Sequence, residues 1–168
     1  MKILPGKIDF SSRNLFSLLT AAFIVHNLEE AVSMYLQPAE SPVSFIHPPT
    51  YSQFLLALSI LTIAAITLYV VAMKSDSDKK YLFISTAFAV ALLFNVFVPH
   101  VFIAVYTLKY TAGLLSALLL NLPLSLILLS KNTALYTSRK QMYLYIFAGF
   151  AAAYALFAFA MKVSMLLV

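Results

Sequence analysis

The chain has 168 residues, of which 62% are hydrophobic and only 10% are charged. Soluble domains carry about a quarter charged residues, so this composition, with a mean hydropathy of +0.93, predicts one integral membrane domain and excludes an ordinary soluble one. The net charge of +5 is spread over segment ends and forms no continuous basic face, which excludes nucleic-acid binding. Cysteine is absent, so a bound metal would depend on histidine, carboxylate or water ligands.

The hydrophobic segments predict an all-α fold, a polytopic transmembrane helical bundle of about five spans. Each segment is long enough to cross a hydrocarbon core, which takes about 20 apolar residues. Prolines or charged turns separate neighbouring segments. The basic lead, residues 1–13, superficially resembles the start of a signal peptide. No small-residue cleavage site follows it, so we expect a retained first span. The predicted spans are residues 14–36, 52–73, 81–106, 111–130 and 142–168.

Lysine and arginine alternate between the two sides of the predicted bundle. The basic lead and the second and fourth loops carry three each, whereas the first loop carries none and the third carries one. Positive residues concentrate on the cytoplasmic side of membrane proteins. We therefore predict a cell-membrane protein with a cytoplasmic N-terminus and an external C-terminus.

The first predicted span contains the ionisable sequence His26-Asn27-Leu28-Glu29-Glu30. Positions i, i+3 and i+4 share one face of a helix, so His26, Glu29 and Glu30 point the same way. Ionisable groups at this depth cost a few kcal/mol each on insertion scales and usually have a function. We therefore predict that this cluster is the centre around which the other spans are arranged.

Polar side chains in later spans fall at overlapping depths. At 1.5 Å per residue, His26 and Glu30 lie about 18 and 24 Å from the cytoplasmic start of the first span. Asn95 and His100 lie at about 21 and 28 Å in the third span, and Asn121 lies about 15 Å below the outer end of the fourth. These depths predict a shared polar pocket that opens outward.

Three residues near the outer ends of the spans bear on this pocket. Pro99 should kink the third span and free a backbone carbonyl about four residues earlier. Tyr110, in the break before the fourth span, is a predicted lining residue together with Asn95 and Asn121. His47 lies in a proline-rich outer loop from which it could fold back over the pocket.

The residue types of the cluster favour a metal centre. His26, Glu29, Glu30 and His100 are the predicted ligands of a divalent metal, zinc or iron. Helical Glu/His pairs build di-metal carboxylate sites, and two histidines with one carboxylate leave the fourth position of a catalytic zinc site to water. One of Glu29 and Glu30 would then ligate and the other would act as a catalytic base. The predicted function is a metal-dependent membrane hydrolase or oxidoreductase acting on a lipid-like substrate within the membrane lipids.

Two other functions use the same side chains without a metal. Neighbouring carboxylates in a low dielectric, with a nearby histidine, can act as acid and base in an isomerase. The same carboxylates, Glu29 and Glu30, can form the proton relay of a small transporter or carrier. Because the chain is short, the transporter hypothesis requires a homo-oligomer.

Structural interpretations of the same residues remain open. The stretch from His26 to Glu30 could be a solvated helix end, although a span cut at Val25 would have only about 12 residues, too few to cross. A glutamate of the cluster could simply pair with a buried Asn or Tyr. His100 could be a structural histidine beside a kinking proline, and the two asparagines could be interhelical hydrogen-bond partners.

The sequence resembles the HXXEE family of multi-span membrane proteins through His26-Asn27-Leu28-Glu29-Glu30. The likeness extends to an asparagine followed by a histidine in a later span, here Asn95 and His100, and to Tyr110-Thr111-Ala112-Gly113 with Pro123 beyond it. It covers roughly residues 15–130. Four residues separate the asparagine from the histidine where the family pattern has three. The resemblance implies an intramembrane polar centre and no established reaction.

Overall fold

The computed structural model describes residues 10–36 and 49–168, and these are almost entirely helical. Two π-helical segments, Val96–Val101 and Ala117–Asn121, join α3 to α4 and α5 to α6. His47 lies outside the described residues. The helices are α1 Phe10–Leu36, α2 Tyr51–Met73, α3 Asp78–Asn95, α4 Phe102–Thr107, α5 Leu114–Ser116, α6 Leu122–Thr133 and α7 Arg139–Leu167.

In the described part of the chain, five helices are long and apolar enough to cross a membrane. This confirms the predicted all-α bundle and its five spans. The helical spans differ from the predicted ones by about three residues at several ends. They run over Ser11–Leu36, Tyr51–Met73, Asp78–Thr107, Leu114–Thr133 and Arg139–Leu167.

Side-chain caps explain where several spans begin. Thr50 and Gln53 form a reciprocal capping box at the start of α2, and such a box satisfies two of the free N–H groups of a helix end. Ser77 caps α3 through the Lys80 amide, and Ser138 caps α7 through the Gln141 amide. Polar residues ahead of the second, third and fifth apolar runs therefore cap these helices.

The spans form a bundle whose main contacts run around a ring, and the third span also contacts the first and the second. The first span packs on the second and fourth, and the fifth packs on the second and third. The third and fourth spans complete the ring. The aromatic core lies near the basic end, where the Phe16 ring meets the rings of Tyr81 and Phe88 edge to face. This packing fixes the first, third and fourth spans relative to one another, and these three spans carry the polar centre.

The third span is broken where Pro99 was predicted to kink it. Val98 has an extended conformation, with φ of −132° and ψ of 110°, between helical residues on both sides. Proline disfavours a helical conformation in the residue before it and has no N–H to donate. The predicted kink is therefore confirmed, and the break at Val98 changes the direction of the residues that follow, including His100.

Candidate metal centre

His26, Glu30 and His100 converge between the first and third spans. Glu30 Oε1 lies 3.7 Å from His26 Nε2 and 3.3 Å from His100 Nε2. All three ligand atoms lie within 4.8 Å of one another. His26 is fully buried, and the side chains of His100 and Glu30 are only 3% and 12% exposed. The structure therefore brings together three of the four predicted ligands; their chemical roles remain predictions.

The break in the third span lets Asn95 and His100 both face His26. Asn95 Nδ2 lies 3.4 Å from His26 Nε2, and the His100 ring meets the His26 ring edge to face with centroids 4.7 Å apart. In a regular α-helix, residues five apart point about 140° away from each other. The π-helical turn and the extended Val98 remove this mismatch. The break in the third span thus compensates for the extra residue between Asn95 and His100.

Ser116 orients the His26 imidazole. Its hydroxyl lies 3.0 Å from His26 Nδ1 and donates to the Gly113 carbonyl at 3.3 Å. Because the hydroxyl hydrogen is used by that carbonyl, the Ser116 oxygen accepts from Nδ1–H. The lone pair of His26 is then on Nε2, the nitrogen directed to Glu30. A histidine that binds a metal ordinarily donates its other N–H to a fixed partner in this way.

His100 directs Nε2 into the centre, 3.3 Å from Glu30 Oε1. Its Nε2 is buried and has no hydrogen-bond partner among the described residues. The ring also interacts with the Ala112 backbone, and the His100 carbonyl accepts a hydrogen bond from the Thr111 hydroxyl at 3.2 Å. A buried polar atom without a partner costs about 1–3 kcal/mol. Thr111 and Ala112, just before the fourth span, thus hold His100 and leave its Nε2 without a hydrogen bond.

Gly113 is in contact with all three members of the cluster. A Cβ at this position would lie 2.7 Å from Glu30 Cγ, 2.7 Å from His26 Cε1 and 3.0 Å from His100 Cε1. Its φ of +80° is in the left-handed region that side-chain-bearing residues rarely adopt. A glycine is therefore required here by space and by backbone conformation.

Glu29 points to a different part of the site. It accepts a hydrogen bond from the Tyr110 hydroxyl and two more from the amides of Leu115 and Ser116, at 3.2 and 2.8 Å. These amides belong to the first turn of the fourth span, where a helix has unpaired N–H groups and favours negative charge. Glu29 thus joins the first span to the start of the fourth and lies outside the three-residue cluster.

The predicted lining residues have different surroundings. Asn95 touches His26, and Tyr110 lies outside the spans, where partial burial and its hydrogen bond to Glu29 raise the pKa of the phenol above 10.0. Asn121 is 1% exposed, and neither of its amide atoms has a hydrogen-bond partner among the described residues. Asn121 is therefore buried in the bundle, and no hydrogen bond among the described residues joins it to the cluster.

Sequence reasoning missed the contributions of Ser116 and Gly113. A single serine in an apolar span gives no signal of its own, and a single glycine gives little. The one available signal was the Tyr110–Gly113 element of the family resemblance. That element supplies the Tyr110 donor to Glu29, the support of His100 and the glycine in contact with the cluster.

Comparison with known proteins agrees with the motif. The family model described as "Protein of unknown function with HXXEE motif" matches residues 17–128. "Uncharacterized protein YrkK" of Bacillus subtilis (strain 168) is 32% identical over 106 residues. The matched region covers 62% of this chain and 65% of that protein, slightly less than two thirds of its length. No solved structure matches the chain.

Proposed function

The chain belongs to the HXXEE family, a family of unknown function, and we propose from its site that it is a metal-dependent integral membrane enzyme. The observation that carries this proposal is the convergence of His26, Glu30 and His100, with ligand atoms within 4.8 Å of one another. Two imidazoles and one carboxylate are the donor set of several catalytic metal sites. The three residues come from two separate spans, so only folding assembles them.

The distances in the cluster fit a small metal ion. Tetrahedral zinc with bonds of about 2.0–2.1 Å places its donor atoms about 3.4 Å apart. The two distances from Glu30 Oε1, 3.3 and 3.7 Å, are close to this value. The unpartnered His100 Nε2 and the fixed Nδ1–H of His26 are what a bound ion would require. The donor set and the two Glu30 distances therefore fit zinc, the two imidazole donors lie within 4.8 Å of each other, and the same donor set also suits non-haem iron.

The residues of this chain would have different roles at such a centre. His26, Glu30 and His100 would hold the ion, which supplies Lewis-acid polarisation and, for zinc, activation of water near neutral pH. Asn95, beside His26 Nε2, would orient a polar group of the substrate. Glu29 would act as a positioning residue, because its hydrogen bonds hold the helix start that carries Ser116. This assignment changes the predicted role of Glu29 from ligand or base to support.

A lipid-like substrate is the class that this placement favours. Two of the three ligands, His26 and His100, are buried inside helices long and apolar enough to cross a membrane. An apolar molecule dissolved in the bilayer reaches such a centre sideways, whereas a polar metabolite would need an aqueous opening. The predicted topology, with a cytoplasmic N-terminus, places the cluster in the outer half of the membrane.

Elemental analysis of the purified protein tests the metal assignment. We expect about one zinc or iron per chain in the wild type and loss of that metal in His26→Ala, Glu30→Gln and His100→Ala. Glu29→Gln is the matched comparison, because it changes the neighbouring glutamate without removing a proposed ligand. Wild-type protein without stoichiometric metal, prepared without chelators and anaerobically for iron, would contradict the proposal and favour metal-free acid–base chemistry. Incubation of loaded protein with a total lipid extract, followed by mass spectrometry, tests the substrate class.

A further inference from the structure

Buried side-chain polar atoms without hydrogen-bond partners lie along the fourth span, away from the His26–Glu30–His100 cluster. Both amide atoms of Asn121, the hydroxyl of Ser125 and Oδ1 of Asn132 have no hydrogen-bond partner among the described residues. The three side chains are at most 1% exposed. Leaving such a group unpaired costs about 1–3 kcal/mol. Four unpaired atoms on one span are therefore a costly arrangement that needs an explanation.

These side chains share one face of the helix. At 100° per residue, Asn121, Ser125 and Asn132 fall within about 40° of one another. Ser116 precedes them by one π-helical turn, in which the Leu122 amide bonds the Ala117 carbonyl. A π turn brings residues about five apart towards the same side. The fourth span therefore presents Ser116, Asn121, Ser125 and Asn132 in sequence, over about 24 Å.

Each end of this row joins other polar groups. At one end, Ser116 contacts His26 of the cluster. At the other end, Asn132 Nδ2 donates to the hydroxyls of Ser85 and Thr86, both at 3.1 Å. Thr86 is in turn 2.7 Å from the hydroxyl of Tyr136, which lies beyond the end of the fourth span. The row therefore runs from the cluster to the opposite end of the bundle.

We propose that the fourth span carries a hydrated path that leads from the Tyr136 end of the bundle to the His26–Glu30–His100 cluster. Buried water typically makes about three hydrogen bonds to polar groups that would otherwise be unpaired, and Asn121 and Ser125 offer such groups one helical turn apart. Leu128 is fully buried on the same face and belongs to the hydrophobic core that also contains Ala89, so the path has to pass an apolar step between Ser125 and Asn132. The path would deliver water to a centre that is otherwise enclosed by apolar spans.

Asn121, Ser125 and Asn132 lie outside the metal cluster, so the test of the path requires neither metal nor substrate. The chain has no cysteine, and an introduced thiol is therefore the only reactive one. Ser125→Cys places a thiol on the proposed path. Ala89→Cys is the control, because Ala89 is fully buried in the aromatic core of the third span. The measurement is the rate at which silver ion blocks each thiol in folded protein, read by later maleimide labelling after denaturation.

We expect silver to block the Ser125→Cys thiol at least about tenfold faster than the Ala89→Cys thiol, because a thiol ionises in contact with water and is inert in an apolar interior. Asn121→Cys provides a second probe if Ser125→Cys does not fold. Equal rates at the path and control positions would overturn the proposal.

The direction of the path is tested at Leu128. A bulkier side chain there should obstruct access from the Tyr136 end, so Leu128→Phe should slow the reaction of the Ser125→Cys thiol. An unchanged rate at Ser125→Cys would mean that water reaches this position from the cluster side, which contradicts a path from Tyr136.

Discussion

Replacing Gly113 with alanine tests whether the cluster depends on close approach of the backbone. The added Cβ would lie 2.7 Å from both Glu30 Cγ and His26 Cε1. Ordinary van der Waals contacts begin near 3.4 Å, so each of these two side chains would have to move by about 0.7 Å. Metal sites tolerate deviations of only about 0.2 Å in ligand distance. Gly113→Ala should therefore disturb the cluster even if the fold survives.

The same substitution also has a cost in stability. A non-glycine residue in the left-handed region costs about 1–2 kcal/mol, and overpacking a filled site costs typically about 1–3 kcal/mol. We expect Gly113→Ala to lower the free energy of unfolding by about 2–5 kcal/mol. Zinc affinity should fall by about tenfold to a hundredfold, the loss typical when support of a ligand is removed. Denaturant unfolding in detergent and competitive zinc titration measure the two effects.

Gly149→Ala is the control that separates these effects. Its Cβ would lie 2.5 Å from the Cα of Ala87, where the fifth span packs closely on the third. It should destabilise the protein by a similar overpacking cost of about 1–3 kcal/mol but leave zinc affinity unchanged. Wild-type zinc affinity in Gly113→Ala, or an equal loss in Gly149→Ala, would refute the argument that Gly113 shapes the cluster.

Three further predictions concern the supports of the site. Glu29→Gln should lower the free energy of unfolding by about 1–3 kcal/mol, because a charged acceptor of several hydrogen bonds is lost. Metal content should stay at the wild-type level, and metal loss would instead make Glu29 a ligand. The raised pKa of Tyr110 favours the neutral phenol in the folded state. The associated stability is present below the unfolded pKa near 10 and is lost as pH rises through the higher folded value. Ultraviolet titration should therefore show a smaller late tyrosinate signal in Tyr110→Phe, and an unchanged titration would contradict this. Asn132→Ala removes the donor shared by Ser85 and Thr86 and should cost about 1–3 kcal/mol in thermal unfolding, whereas exposed Ser130→Ala should cost little.

The number and approximate position of the spans followed from the sequence alone. Apolar runs long enough to cross a bilayer, separated by prolines and charged turns, leave few alternatives because every backbone polar group in a membrane must be paired within the helix. The common face of His26 and Glu30 also followed, because helical spacing is a local property. The kink at Pro99 was predictable for the same reason.

Only the tertiary structure separated the two neighbouring glutamates. Glu29 and Glu30 are adjacent in sequence and almost equivalent by composition, but Glu30 meets His100 whereas Glu29 meets Tyr110 and the first turn of the fourth span. Their directions depend on where the third and fourth spans pack, and that packing is set by contacts distant in sequence. The spacing of the motif therefore determined that a polar centre exists, and the packing of the bundle determined which of its residues form it.

The same distinction applies to the extra residue before His100 and to Gly113. Sequence spacing in a regular helix would point Asn95 and His100 about 140° apart, but the break at Val98 directs both to His26. Gly113 contacts the cluster because the loop before the fourth span closes over it. Local periodicity determines a helix face, whereas breaks in helices and contacts between spans are decided only when the whole bundle is packed.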